Sequence, residues 1–308
     1  MSAEGRRTAF VFPGQGSQHA EMIDNVPEND TFERLIDAAE GLSDLPLRAI
    51  CAKGVAADLA DTRVAQPLLY LCDWGWAISL LDSGIEPVIT AGHSLGELVA
   101  LSIAGVYSVE AGLELVVERS RLMAATAEST PGTMAAVLGL PHLTVRECVD
   151  EMDGVWVANE NSTNQVVISG TYEGVERATA GLSEAGARRI VPLKVTGPFH
   201  SPLMEPARAA FEEILHATEF HDAVIPVVQN SDPRPTLDAA TIRERLIAQI
   251  TAPVRWTETM TSLLADGPVT LIETGPGAVL SGLARGVEGL TALSVEQAGL
   301  ERIAEEVG

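Results

Sequence analysis

Gly92-His93-Ser94-Leu95-Gly96 sets a serine between two glycines at the spacing of a sharp turn. The apolar run Val88-Ile89-Thr90-Ala91 before it reads as a strand, and Glu97 to Ala104 after it reads as a helix. Strand, tight turn and helix form the setting of a nucleophile elbow. There the hydroxyl stands free above a sheet, and backbone N–H groups at the helix start face a developing oxyanion. The chemistry open to such a serine is attack on an acyl carbonyl. A plain turn serine is the competing reading of the same five residues.

A nucleophilic serine needs a base, and the chain has six histidines. His93 adjoins Ser94, so its side chain is expected to point away as a structural neighbour. His142, His216 and His221 fall in helix-start or surface contexts, and His19 follows the Gln15 loop. His200 lies in Thr196-Gly197-Pro198-Phe199-His200-Ser201-Pro202, where two prolines and a glycine restrict the backbone. It is either a positioned general base or a structural histidine. No carboxylate stands out as its partner, so a backbone carbonyl is the expected orienting group. Gly14-Gln15-Gly16-Ser17-Gln18 lacks the third glycine of a dinucleotide loop and the Lys of a Walker loop. Its alternative use is to aim the Gln15 amide at the elbow. Arg119 lies between Leu115 and Leu122 on one helix face. It either snorkels to water or serves a buried anion, and the pattern alone favours snorkelling.

The elements that must position these residues follow from hydrophobic pattern. Thr8 to Phe12 reads as a buried strand. A helical region runs to about Gly84, with Gln66-Pro67 opening an apolar helix, and Ser108 caps another helix to about Ala127. The next stretch reads strand 133–140, helix 144–152, strands 155–161 and 165–169, helix 172–185 and strand 188–195. This β-α-β-β-α-β order is that of a ferredoxin-like unit. After Gly197-Pro198 come helix 203–218, strand 225–230, helix 239–250, strand 269–273 and helix 278–285. The expected class is α/β: a hydrolase-like large lobe, 1–130 and 197–308, with a parallel sheet and helices on both faces. A small ferredoxin-like lobe, 131–196, is inserted in it.

Composition narrows the partners. Acidic residues number 43 against 20 basic ones, for a net charge of −23, which argues against nucleic acid and anionic membranes. Three dispersed cysteines without CxxC suggest free thiols in a reducing compartment, and no zinc site. Arg6-Arg7 and the short apolar run before Pro13 do not make a signal peptide. A cytoplasmic monomer is the expectation.

Taken together, these motifs resemble the malonyl-CoA:acyl carrier protein transacylases over nearly the whole chain. The resemblance rests on Phe10 to Gln18, Gly92 to Glu97, Met134 to Leu140, Gln165 to Gly170, Gly197 to Met204 and Glu273 to Gly277, in that order. It implies that Ser94 takes the acyl group as an ester and that His200 is general base, then general acid. It further implies an oxyanion hole from the Gln15 and Leu95 amides, and a clamp from Arg119 on the free malonyl carboxylate. Asn161 matches an asparagine near the family's active site. Phe199 before His200 resembles malonyl-selective members. A main-chain carbonyl near Arg255 would orient the histidine. The partners implied are malonyl-CoA and a holo-acyl carrier protein, with no metal or redox cofactor. Arg188, Arg189 and Lys194 on the small lobe are either a local basic patch for an acidic carrier or scattered surface charges.

Three rival readings share the motifs. A serine esterase or editing hydrolase would use Ser94 and His200 but would not need Arg119. The transacylase subunit of a malonate decarboxylase would run the same chemistry on another carrier. A non-catalytic docking protein would not need Ser94, His200, Gln15 and Arg119 together.

Overall fold

The structure, a computed structural model, describes residues 7–307. Met1 to Arg6, where the segment read against a signal peptide begins, and Gly308 lie outside the described residues. Nine strands form two sheets among the described residues. In chain order they are β1 (Thr8–Phe12), β2 (Ile89–Gly92), β3 (Thr133–Leu138), β4 (Val155–Ser162), β5 (Gln165–Gly170), β6 (Arg189–Pro192), β7 (Val227–Val228), β8 (Val269–Glu273) and β9 (Leu290–Ser294).

The larger sheet has the order β7-β2-β1-β8-β9 and is parallel throughout. Residues of β1 alternate between its two faces, as strand geometry demands. Phe10 and Phe12 join the core under the helices Thr62–Asp82, Gly96–Ile103 and Val109–Ser129. Ala9 and Val11 join the opposite core with Trp256, Met260 and Leu280. Both faces are therefore covered, as the sequence pattern requires. Register pairs Phe12 with Gly92 and Val11 with Glu273, so the loops after β1, β2 and β8 leave the same edge. That carboxyl edge is where open parallel sheets bind ligands.

The smaller sheet has the order β4-β5-β3-β6 and is antiparallel throughout, with helices His142–Asp150 and Tyr172–Glu184 packed on it. This is the ferredoxin-like arrangement. The edge strand β4 is irregular between Val157 and Asn159. There it turns outward to the large sheet's connections: Val254 N–H donates to Ala158 O at 2.8 Å, and Glu160 N–H to Val254 O at 2.8 Å.

Some elements differ from the pattern. The long apolar helix starts at Thr62, because Asp61 accepts the Arg63 N–H and caps it. Pro67 lies inside this helix and only removes one hydrogen bond. Asp73 in the same helix is fully buried and has no hydrogen-bond partner among the described residues, and burial pushes its carboxyl well above the usual range. β6 and β7 are shorter than their apolar runs suggest. β9 and the helices Trp256–Leu263 and Leu300–Val307 were not marked by the pattern. No helix among the described residues is long and apolar enough to cross a membrane.

The elbow turns tightly because two glycines let backbones touch. A Cβ on Gly96 would sit 2.0 Å from Phe12 O, and one on Gly92 would sit 1.9 Å from the Gly96 carbonyl carbon. Both neighbours are backbone and cannot rotate away. Gly96→Ala is expected to lower unfolding free energy by at least about 3 kcal/mol, measured by denaturant titration. A loss below about 1 kcal/mol would contradict this packing.

Candidate active site

Ser94 sits between β2 and the helix Gly96–Ile103 with φ 52°, in the left-handed region. That conformation is costly for a serine and persists only when its surroundings hold it. Asn230, just beyond β7, does so from two sides. Its Nδ2 donates to Gly92 O at 2.6 Å, and its Oδ1 accepts the Ser94 N–H at 2.7 Å. Gln249 Nε2 donates to Ser94 O at 2.8 Å. Asn230 is itself anchored, because Glu97 Oε2 accepts its N–H at 2.8 Å while Oε1 accepts Gln229 Nε2 at 3.0 Å. Burial raises the Glu97 carboxyl to about 7 against these hydrogen bonds.

His200 is brought to the serine by the turn after the small sheet. Its Nε2 lies 2.7 Å from Ser94 Oγ. Its Nδ1 faces Gln249 O at 2.9 Å and Ala252 O at 3.2 Å. Two carbonyl acceptors require N–H at Nδ1, which leaves the Nε2 lone pair for the serine hydroxyl. Like Ser94, His200 has a positive φ, 55°. Burial first, then the Arg119 charge, push its imidazole down to about 3, so the ring is neutral at pH 7.

The orienting carbonyl is therefore not that of Arg255. Arg255 O accepts the Thr259 N–H at 3.0 Å, in the first turn of the following helix. Gln249 ends the helix Ala239–Gln249, where carbonyls lack intrahelical donors and can serve a side chain.

Arg119 does not snorkel. It is 1% exposed, because its helix faces Gln66 on one neighbour and Gln249 on another. Nη1 donates to Gln66 Oε1 at 2.7 Å, and Nη2 to Gln249 Oε1 at 2.9 Å and Ser94 Oγ at 3.2 Å. Nε has no partner. Among the described residues no carboxylate pairs with it, and burial lowers its pKa to about 10. A buried guanidinium of this kind beside a serine hydroxyl has the charge and donors to receive an anion.

These groups line one cavity of about 150 Å³, with Gln15, Leu95, Met123, Asn161, Phe199 and Leu280 in its wall. A space of that order holds a group of about six heavy atoms. The Gln15 side chain is turned away, donating to Ala60 O at 3.2 Å and accepting from Thr62 Oγ1. Gln15 thus lines the cavity with its side chain engaged elsewhere. Leu95 directly precedes the helix start. Asn161, at the end of β4, accepts from His93 Nε2 at 2.9 Å and donates to Gln165 Oε1. His93 thus makes no bond to Ser94 but does line the cavity.

Other residues fall elsewhere. His19 pairs with Glu296 at 3.0 Å, and His216 and His221 are exposed. Arg188 and Arg189 open β6 beside Leu138, whereas Lys194 lies past its other end between cavity-lining Leu193 and Val195. Six residues of extended chain span at most about 20 Å. Gln66, Gln249, Asn230 and Glu97 had no role in the sequence pattern. The signal was present as single polar residues within apolar stretches, such as Val64-Ala65-Gln66-Pro67-Leu68 and Leu246-Ile247-Ala248-Gln249-Ile250.

Residues 9–300 match the acyl transferase domain. The chain is 42% identical over 279 residues to a malonyl CoA-acyl carrier protein transacylase of Synechocystis sp., covering 91% of this chain and 93% of that protein. It is 40% identical over 289 residues to a protein of the same name from Bacillus subtilis, covering 91% and 90%. A solved malonyl-transacylase, in complex with its holo type II polyketide synthase acyl-carrier protein, matches with a TM-score of 0.90 at 36% identity over 97% of this chain and 99% of that one. The chain belongs to the acyl transferase domain family, among its malonyl-CoA:acyl carrier protein transacylases.

The electrostatics predict a pH profile. A neutral serine-directed sulfonyl fluoride is expected to label Ser94 with an acid limb well below 6.5, the ordinary imidazole value, because burial and Arg119 disfavour the imidazolium. Arg119→Met removes a positive charge, so the limb moves up in pH. A limb unmoved by this substitution would contradict the coupling.

Proposed function

We propose that this protein transfers a malonyl group from malonyl-CoA to the phosphopantetheine thiol of an acyl carrier protein, through an ester on Ser94. The observation that carries the reading is the Arg119 guanidinium, buried without a counter-ion and 3.2 Å from the Ser94 hydroxyl. A short acyl group bearing its own carboxylate reaches from serine to guanidinium; a neutral one leaves the charge unmet.

Each half-reaction is a proton-coupled acyl exchange. Ser94 Oγ attacks the thioester carbonyl while His200 Nε2 takes its proton. The C–S bond breaks, and the imidazolium returns the proton to the CoA sulfur. The carrier's thiol then attacks the malonyl ester by the same path in reverse. The backbone amides of Gln15 and Leu95 receive the tetrahedral oxyanion, where one donor contributes about 2.7–4 kcal/mol. The two carbonyls on His200 Nδ1 take the place of a triad carboxylate. Thioester to ester to thioester changes no oxidation state, so no redox cofactor is called for, and His200 moves the proton without a metal. Phe199 and Asn161 bound the acyl space. One added methyl is worth only about 1–3 kcal/mol there, so malonyl is preferred to methylmalonyl modestly.

The test is intact-protein mass after brief exposure to malonyl-CoA or acetyl-CoA alone. A malonyl adduct is expected that disappears in Ser94→Ala and is discharged by holo-carrier protein. Arg119→Ala is expected to lower malonyl loading by about 1.5–3 kcal/mol, roughly 10- to 150-fold in kcat/KM. Release of free malonate without an adduct would favour a hydrolase. Equal acetyl and malonyl loading would overturn the role of Arg119.

A further inference from the structure

We propose that Gln66 and Gln249 set the charge preference for the acyl group, by holding Arg119 through neutral amide oxygens that leave its positive charge for an incoming carboxylate. This rests on the reading of Arg119 as the acyl-group anchor.

Several other arginines of this acidic chain are neutralised by carboxylates. Arg48, Arg208 and Arg245 each pair with an aspartate or glutamate. Arg119 is the most buried case and is treated differently. Both terminal nitrogens are hydrogen-bonded, to Gln66 Oε1 at 2.7 Å and Gln249 Oε1 at 2.9 Å, yet neither partner carries charge. The orientation of the guanidinium is fixed while its charge is not cancelled. Glu97, the carboxylate whose field reaches Arg119, is turned to Gln229, Asn230 and the side-chain amide of Gln249 instead.

Gln66 shows that the neutral oxygen is the functional part. It is 2% exposed, and the contact of its Nε2 is the weak acceptor Met123 Sδ at 3.6 Å. A glutamate has the same shape, would lose almost nothing on that side and would place a carboxylate against Nη1. Its charge would occupy the guanidinium before any substrate arrived. A neutral acyl group would then no longer leave a buried cation unpaired.

The experiment compares initial loading rates from malonyl-CoA and acetyl-CoA, read by intact mass, for wild type, Gln66→Glu and Gln66→Leu. Gln66→Glu is expected to lower malonyl loading about tenfold or more and to raise the acetyl-to-malonyl ratio by at least that factor. Gln66→Leu removes the hydrogen bond without adding charge, so malonyl loading falls while the ratio stays near that of wild type. Gln249→Glu keeps the backbone carbonyl that holds His200 but loses the Nε2 donation to Ser94 O, so both loading rates fall while the acetyl-to-malonyl ratio is expected to shift as in Gln66→Glu. It keeps the test open if Gln66→Glu does not fold. A folded Glu variant with the wild-type ratio, or a Gln66→Leu shift as large as that of Gln66→Glu, overturns the proposal. Wild-type protein that loads acetyl as readily as malonyl instead overturns the reading of Arg119 on which it rests.

Discussion

A positive charge held away from water without a counter-ion is the constraint around which this site is arranged. The Arg119 guanidinium touches Ser94, Gln66 and Gln249, and its field acts on the titrating groups near it. It helps keep His200 neutral and opposes the rise of the Glu97 carboxyl. A buried cation is costly, and proteins keep one where the cost is offset on binding. On the proposed reading, that offset comes from the carboxylate of the acyl group.

Backbone strain is the second element, and it depends on a polar scaffold under the elbow. Ser94 and His200 are both left-handed, and the two hydrogen-bond to each other. Asn230 and Gln249 each make contacts on more than one side. Asn230 joins Gly92 to Ser94, and Gln249 joins Ser94, His200 and Arg119 through its amide and its carbonyl. These are buried, largely satisfied groups, and a buried polar network of this kind fixes angles.

Sequence carried the architecture and picked out the two side chains, Ser94 and His200, that the fold brings together, and its limits have physical causes. The elbow was legible because Gly92, Ser94 and Gly96 are local and their backbone needs are strict. The small sheet was legible because alternation and turns recur at short range. His200 stood out through its prolines. The fate of Arg119 was not legible, since helix periodicity reports a face and not what meets it. Gln66 and Gln249 are 183 residues apart in sequence and converge only through tertiary packing. The Arg255 expectation failed for a related reason. Which carbonyl is free depends on where one helix stops and the next begins, and ends are the weakest part of any pattern. β9, a partly exposed edge strand, offered no apolar run to read.

The seam between the two sheets has a further consequence. β4 bonds to Val254, five residues beyond Gln249, and Asn161 on the same strand reaches His93 in the elbow. The stretch from Gln249 to Thr257 therefore belongs to both halves: it steadies the histidine on one side and completes the sheet edge on the other. The inserted unit is not a detachable module. A chimera that exchanges residues 131–196 alone would bring a foreign edge to a native seam. The unit that can be transplanted is discontinuous, the ferredoxin-like insert together with the nine residues that lace it to the larger sheet.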